Sequence, residues 1–335
     1  MATQWTKLTF KLNTGREIPA IGLGTWQSKP NEVRKAVKAA LLAGYKHIDT
    51  YVAVFPPSTT LCDPSAHPRV TCSAQAYGNE AEVGDGIQDA GVPRESFFLT
   101  TKIDNMNHKH VAQTMDESLK KLKTDYVDLV LMHWPVSIDP IDSEKQTIVY
   151  KDWKFTDTWR EMEKLVETGK ARAIGVSNFG IRNLETLLAS AKIVPAVDQI
   201  ELHPCSPSTK LVEFCKSKGI HVTAYSCLGS TDSPLAHNQT LQAVADAHGK
   251  SPQQVLLVWG LKRGTSVIPK SVTESRIKGN FDLDGLDLTE EEMEKLNNIP
   301  ERFKVCNEWL PEKIFSSEKE GRDFYDGDKL FEKKN

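Results

Sequence analysis

No run of apolar residues in the 335-residue chain approaches the roughly 18 needed to cross a bilayer. The opening Met1-Ala2-Thr3-Gln4-Trp5 lacks the charged-then-apolar order of a signal peptide, so a cytoplasmic protein is expected. Charge of one sign is also missing: 42 basic against 45 acidic residues leave a net charge of −3. No basic field is present to recruit nucleic acid or an anionic membrane, and neither partner is expected. The six cysteines (62, 72, 205, 215, 227 and 306) show no CxxC spacing, which argues against both a zinc site and a disulfide scaffold. Gly22-Leu23-Gly24 starts like a dinucleotide fingerprint, but Gln27 stands where the third glycine belongs. There is no GxxxxGK[ST], HExxH or GxSxG.

What is present is alternation. Short apolar runs (20–24, 46–50, 97–103, 126–133, 171–178, 196–203, 220–226 and 265–270) alternate with amphipathic stretches. The helical stretches fall at 31–41 (with Asn31 as N-cap), 79–90, 110–122, 155–168, 182–191, 208–218, 240–262 and from 273 onward. Continuous apolar runs suit parallel strands covered on both faces, and eight β–α units favour a closed barrel over an open sheet. The expected fold is therefore α/β, a single (β/α)8 barrel over residues 1–335. A hairpin formed by Leu8–Leu12 and the stretch around Ile18 precedes it, and the tail after Pro300 is expected as a loop over the barrel mouth.

Chemistry in such a barrel collects at the C-terminal ends of the strands. Here those ends carry Thr25 and Trp26, Asp49, Lys102, His133 and Trp134, Ser177 and Asn178, Gln199, Tyr225, and Lys270 with Ser271. Singly, each has an ordinary explanation as a cap, a solvated charge or a satisfied core polar group. Jointly, they line one rim. That rim lacks the His and carboxylate cluster of a metal-dependent hydrolase, and no metal is expected.

Seven segments in order resemble the signatures of the aldo-keto reductases. They are His47-Ile48-Asp49-Thr50, Ala76-Tyr77-Gly78-Asn79-Glu80, Thr101-Lys102, Leu131-Met132-His133-Trp134-Pro135, Gly175-Val176-Ser177-Asn178-Phe179, Gln199 to Pro204, and Ile268-Pro269-Lys270-Ser271. The resemblance spans about 8–300 and implies a tetrad of Asp49, Tyr77, Lys102 and His133. A free tyrosine, with a pKa near 10, is a poor acid at neutral pH. A lysine against the phenol, itself held by a buried aspartate, lowers that pKa, and a histidine orients the carbonyl. For the cofactor the resemblance implies Thr25 and Asp49, with Ser177, Asn178 and Gln199 on the nicotinamide amide and Tyr225 stacked on the ring. Ser226, Leu228 and Ser230 would lie over the pyrophosphate, and Lys270, Ser271, Arg276 and Asn280 would surround a 2′-phosphate. Two cations there favour NADPH/NADP+ over NADH. Trp26, Asp104 and Trp134 are the expected substrate-pocket residues. Asp104 replaces a residue that is often aromatic, which suits small polar aldehydes or sugars. Cys227, Asp198 and Gly279 are further departures from the family pattern. A monomer is implied.

The chain departs most between Thr50 and Ala74. The family spaces the catalytic Asp and Tyr five residues apart, whereas Asp49 and Tyr77 are 28 apart. Removing the 23 residues 51–73 restores the spacing. This Pro-rich, aperiodic segment fits a translated intron. Thr50-Tyr51-Val52 can be encoded with a GTATGT donor, and Cys72-Ser73 with an AG acceptor. The competing reading is a genuine lid, tolerated because closing a longer loop costs only about 1–2 kcal/mol. Three functions are thus in view: NADPH-dependent reduction of aldehydes or ketones, NADP-dependent oxidation of a glycerol-type polyol, and an NADP-binding scaffold or sensor left by the disturbed Asp–Tyr connection.

Overall fold

The computed structural model describes residues 4–26, 28–51, 78–139, 148–150, 152–230 and 233–306. The chain opens with the antiparallel hairpin β1 (Thr9–Lys11) and β2 (Glu17–Pro19), in which Phe10 faces Ile18. The barrel begins with β3 (Leu23–Gly24), α1 (Val33–Leu42) and β4 (His47–Asp49). It continues through α2 (Glu80–Ala90), β5 (Phe98–Ile103), α3 (Val111–Leu122) and β6 (Leu129–Met132). A small hairpin, β7 (Ile138–Asp139) with β8 (Ile148–Val149), precedes α4 (Phe155–Glu167). Then come β9 (Ile174–Ser177), α5 (Ile181–Leu188), β10 (Val197–Glu201), α6 (Thr209–Ser217) and β11 (His221–Tyr225). The remaining elements are α7 (Gln239–His248), α8 (Pro252–Lys262), β12 (Ser266–Val267), α9 (Glu274–Phe281) and α10 (Glu290–Asn297).

Eight strands lie parallel in the order β12-β11-β10-β9-β6-β5-β4-β3. The first and last of them meet through the bridges Ile21↔Val267 and Gly24↔Lys270, which close the ring. Backbone bonds Val267 N–H to Ala20 O (2.8 Å), Gly22 N–H to Val267 O (2.9 Å) and Gly24 N–H to Pro269 O (3.1 Å) form this seam. The Gly22-Leu23-Gly24 pair that fails as a nucleotide fingerprint has its explanation here. A Cβ on Gly24 would lie 2.8 Å from Ile268 O, and one on Gly22 would lie 2.7 Å from His47 Nδ1. Gly24 lets two strands approach across the seam, and Gly22 makes room for the His47 ring on β4.

Three expectations need correction. Asn31 does not cap α1: it sits at φ 67°, and its N–H is held by the Glu82 carboxylate at 2.9 Å, while the helix starts after Glu32. The stretch expected as helix over 240–262 is two helices. Gly249 (φ 60°) ends α7, and Ser251 starts α8 through a capping box with Gln254. The chain also folds one helix beyond those expected, α10, whose first turn is capped by Thr289 and Glu292. Its charged sequence hides a narrow apolar stripe that buries Leu296.

The seam makes a specific forecast. Gly24→Ala should destabilise the barrel by about 1–3 kcal/mol through overpacking against backbone, read as a lowered thermal midpoint. An unchanged midpoint would mean that the seam relaxes freely.

Candidate active site

Asp49, the last residue of β4, is buried with each carboxylate oxygen engaged. Oδ1 accepts from Lys102 Nζ at 2.5 Å, and Oδ2 accepts from Gln199 Nε2 at 2.7 Å. Lys102 sits near the end of β5 and also donates to the Thr50 carbonyl at 3.1 Å. Burying an ammonium and a carboxylate is tolerable only when the charges are paired and hydrogen-bonded; here the pair is formed and two of the three ammonium N–H groups have partners.

His133 follows β6, its backbone N–H donating to Ile103 O at 3.0 Å. Burial lowers its pKa, with an opposing pull from Asp104 and a further push down from Lys102. The imidazole is therefore neutral at physiological pH and has one N–H to donate. Asp104 Oδ2 is 3.7 Å from His133 Nδ1, close enough for attraction but too far for a hydrogen bond.

A second chain of contacts runs along the rim from His133. The Asn178 side-chain amide donates to the His133 carbonyl at 3.0 Å, and its Oδ1 accepts from the Tyr225 hydroxyl at 2.6 Å. Asn178 adopts φ 61°, a left-handed conformation that asparagine tolerates and that turns its side chain back across the strand ends. Ser177 Oγ donates to Gln199 O at 2.8 Å. Beyond Tyr225, Ser226, Gly229 and Ser230 all have positive φ (46°, 75° and 65°). Such turns present backbone N–H groups in a concave arrangement that suits an anion.

Of the other expected residues, Thr25 donates from Oγ1 to Asp49 O at 3.1 Å. Trp26 is exposed on the rim, whereas Trp134 is buried with its ring 6.2 Å from that of His133. Leu228 is half-buried. Lys270, beside the seam, is half-buried and its pKa is lowered by that burial, with Glu32 opposing. Ser271 is buried just before α9, Arg276 is exposed in its first turn, and Asn280 is buried in its last turn. This is a phosphate-compatible donor set. Tyr77 lies outside the described residues, as do positions 52–73 of the insertion and Trp309, Leu310 and Phe315 of the tail.

The structure adds residues that the sequence reading did not single out. Both flanks of the insertion are docked: Thr50 N–H bonds Thr100 O at 2.9 Å, and Asn79 Nδ2 donates to Thr25 O at 3.0 Å. Glu80 lies beneath the site, fully buried, accepting from Thr101 Oγ1 at 2.6 Å. Asn79 and Glu80 stood within a quoted motif, so a signal existed. Glu201, at the end of β10, accepts from His203 Nε2 (3.0 Å) and from the backbone N–H groups of Val305 (2.6 Å) and Cys306 (2.9 Å). The described start of the tail is therefore pinned to the barrel mouth.

A closed parallel barrel whose strand ends converge on a clamped lysine and a neutral histidine defines an α/β-barrel enzyme with one composite site. The sequence profile of the Aldo/keto reductase family matches residues 20–301, and the chain belongs to that family of oxidoreductases. It is similar to the Saccharomyces cerevisiae protein named glycerol 2-dehydrogenase (NADP(+)), at 43% identity over 91% of this chain and 96% of that one. A Hypocrea jecorina protein named D-galacturonate reductase is 44% identical over 87% of this chain and 89% of its own. Among solved structures, aldose reductase from Schistosoma japonicum superposes with a TM-score of 0.78 at 39% identity, over 89% of this chain and 94% of that one.

Glu80 generates a pH prediction. Burial pushes its carboxyl up to about 7, against the hydrogen bond from Thr101 and the charges of Lys121 and Lys102. A raised acid favours the folded state below its unfolded pKa and loses that advantage as pH rises through the folded value. Glu80→Gln should therefore raise the thermal midpoint relative to the wild type at pH 8 and much less at pH 5. Equal shifts at both pH values would contradict the assignment.

Proposed function

We propose that the chain reduces small polar aldehydes with NADPH, acting as a cytoplasmic monomer. The observation that carries this reading is the Asp49 carboxylate clasping Lys102 at 2.5 Å and Gln199 at 2.7 Å, with His133 on the same rim. Lys102 held charged at that position serves to lower the pKa of a tyrosine phenol, and Tyr77 is the residue assigned to give the proton to the developing alkoxide. Neutral His133 donates a hydrogen bond to the substrate carbonyl and fixes its orientation. Asn178, Ser177, Gln199 and Tyr225 hold and face the nicotinamide end. The left-handed turns after Tyr225 suit the pyrophosphate, and Lys270, Ser271, Arg276 and Asn280 suit the 2′-phosphate. NADPH supplies the hydride. Trp26 and Trp134 flank the substrate, and Asp104 makes one wall polar. Among the described residues no helix is long and apolar enough to cross a membrane.

The reverse reaction, oxidation of a glycerol-type polyol with NADP+, uses the same site and is favoured by the name of the yeast relative. Proton flow is then inverted: Tyr77 phenolate accepts the hydroxyl proton that it gives in reduction.

The insertion separates binding from turnover. The proposed cofactor contacts lie mostly after residue 170, whereas Tyr77 must be positioned within roughly 0.5 Å through the lengthened connection. The full chain and a version lacking residues 51–73 should therefore bind NADPH comparably by fluorescence, with turnover of glyceraldehyde at least tenfold faster in the shortened form. Tyr77→Phe in that form should lower turnover by about 100-fold or more while leaving NADPH binding in place. A full chain as active as the shortened one would make the segment a true lid. Full activity in Tyr77→Phe would remove Tyr77 from the mechanism.

A further inference from the structure

Tyr51 is the first residue of the insertion, yet its side chain is not outside the site. The ring lies 4.3 Å from the His133 imidazole, centroid to centroid, at an interplanar angle of 45°. Its hydroxyl donates to Asp104 Oδ2, while Asp104 Oδ1 accepts from Met106 N–H at 3.1 Å. Asp104 is buried, so its outward oxygen has a small set of possible donors. The same oxygen is 3.7 Å from His133 Nδ1. An O–H donor beside the imidazole thus completes the hydrogen bonding of a buried acidic side chain, and in this chain the donor is a phenol of the protein itself.

We infer that Asp104 is the acceptor for the hydroxyl carried next to the substrate's reacting carbon, and that Tyr51 competes with the substrate for it. The inference rests on the assignment of His133 to the substrate carbonyl. A carbonyl oxygen held by His133 places its neighbouring carbon within reach of Asp104. A hydroxyl on that carbon replaces the phenol's bond one for one. A plain aldehyde or alcohol displaces the ring without replacing the bond and leaves the acidic group unsatisfied, which is costly in a buried setting. The selected class is therefore α-hydroxy aldehydes and vicinal polyols, discriminated from simple aldehydes and alcohols.

Tyr51→Phe tests the competition because it keeps the ring on His133 and removes only the donor. Asp104→Asn tests the acceptor. Binding of glycerol and of 1-propanol to the NADP+-loaded full chain is measured by calorimetry, so the result does not depend on turnover. Tyr51→Phe should raise both affinities roughly tenfold and leave their ratio unchanged, because both ligands displace the same phenol, whereas Asp104→Asn should lower the ratio of glycerol to propanol affinity roughly tenfold, the range set by a hydrogen bond to a charged group. A ratio unchanged in Asp104→Asn, or affinities unchanged in Tyr51→Phe, would overturn the inference, whatever the turnover. Failure of every aldehyde to turn over in the shortened chain, with the affinities shifting as stated, would instead overturn the proposed reaction and leave the Asp104 site standing.

Discussion

A single carboxylate sets the geometry of the barrel mouth. The two oxygens of Asp49 take one donor from β5 and another from β10, strands that are not neighbours in the sheet. The group therefore spans the opening instead of decorating one strand end. Neither donor can move far without leaving a buried charge or amide unpartnered, so the positions of Lys102 and Gln199 are fixed relative to each other. Ser177 is tied to the Gln199 carbonyl and Asn178 to that of His133, which extends the same constraint around the rim. The substrate end and the cofactor end of the proposed site are thus parts of one hydrogen-bonded ring.

That arrangement also explains how the barrel accommodates a long insertion at its most sensitive point. Thr50 is held on one side by Thr100 N–H···O pairing and by Lys102, and Asn79 and Glu80 are held on the other by Thr25 and Thr101. The anchors on both flanks belong to the barrel and not to the connection between them. Lengthening the connection leaves the fold's own contacts in place, so the barrel's stability does not depend on the path between the two anchors.

The barrel was legible in the sequence because its strands are buried on both faces and so appear as unbroken apolar runs. Asp49, Lys102, His133 and Gln199 were legible because each is a polar residue within or closing such a run. The remainder depends on folded contacts and backbone conformation. Asn31 has the composition of a cap, but Glu82 from a neighbouring helix takes its backbone N–H, a tertiary contact that no local rule reveals. Gly249 adopts a left-handed conformation that ends α7 inside an otherwise helical period. Tyr51 fell inside a segment set apart by its composition, and only the folded positions of Asp104 and His133 show where its side chain lies. Gln27 at the third position excludes a dinucleotide fingerprint for Gly22 and Gly24 without saying what they do; their small size serves close packing, which no motif records.

The seam between β3 and β12 has a consequence for synthesis. Its two partners come from opposite ends of the barrel sequence, Ala20 to Gly24 and Val267 to Lys270. During translation the ring cannot close until Lys270 has left the ribosome. Until then β3 keeps one edge open to foreign strands. The shortness of that edge, two residues in β3, limits the exposed hydrogen-bonding template during the wait. A seam too small to attract partners early is also one that closes late, once both ends of the barrel sequence have been made.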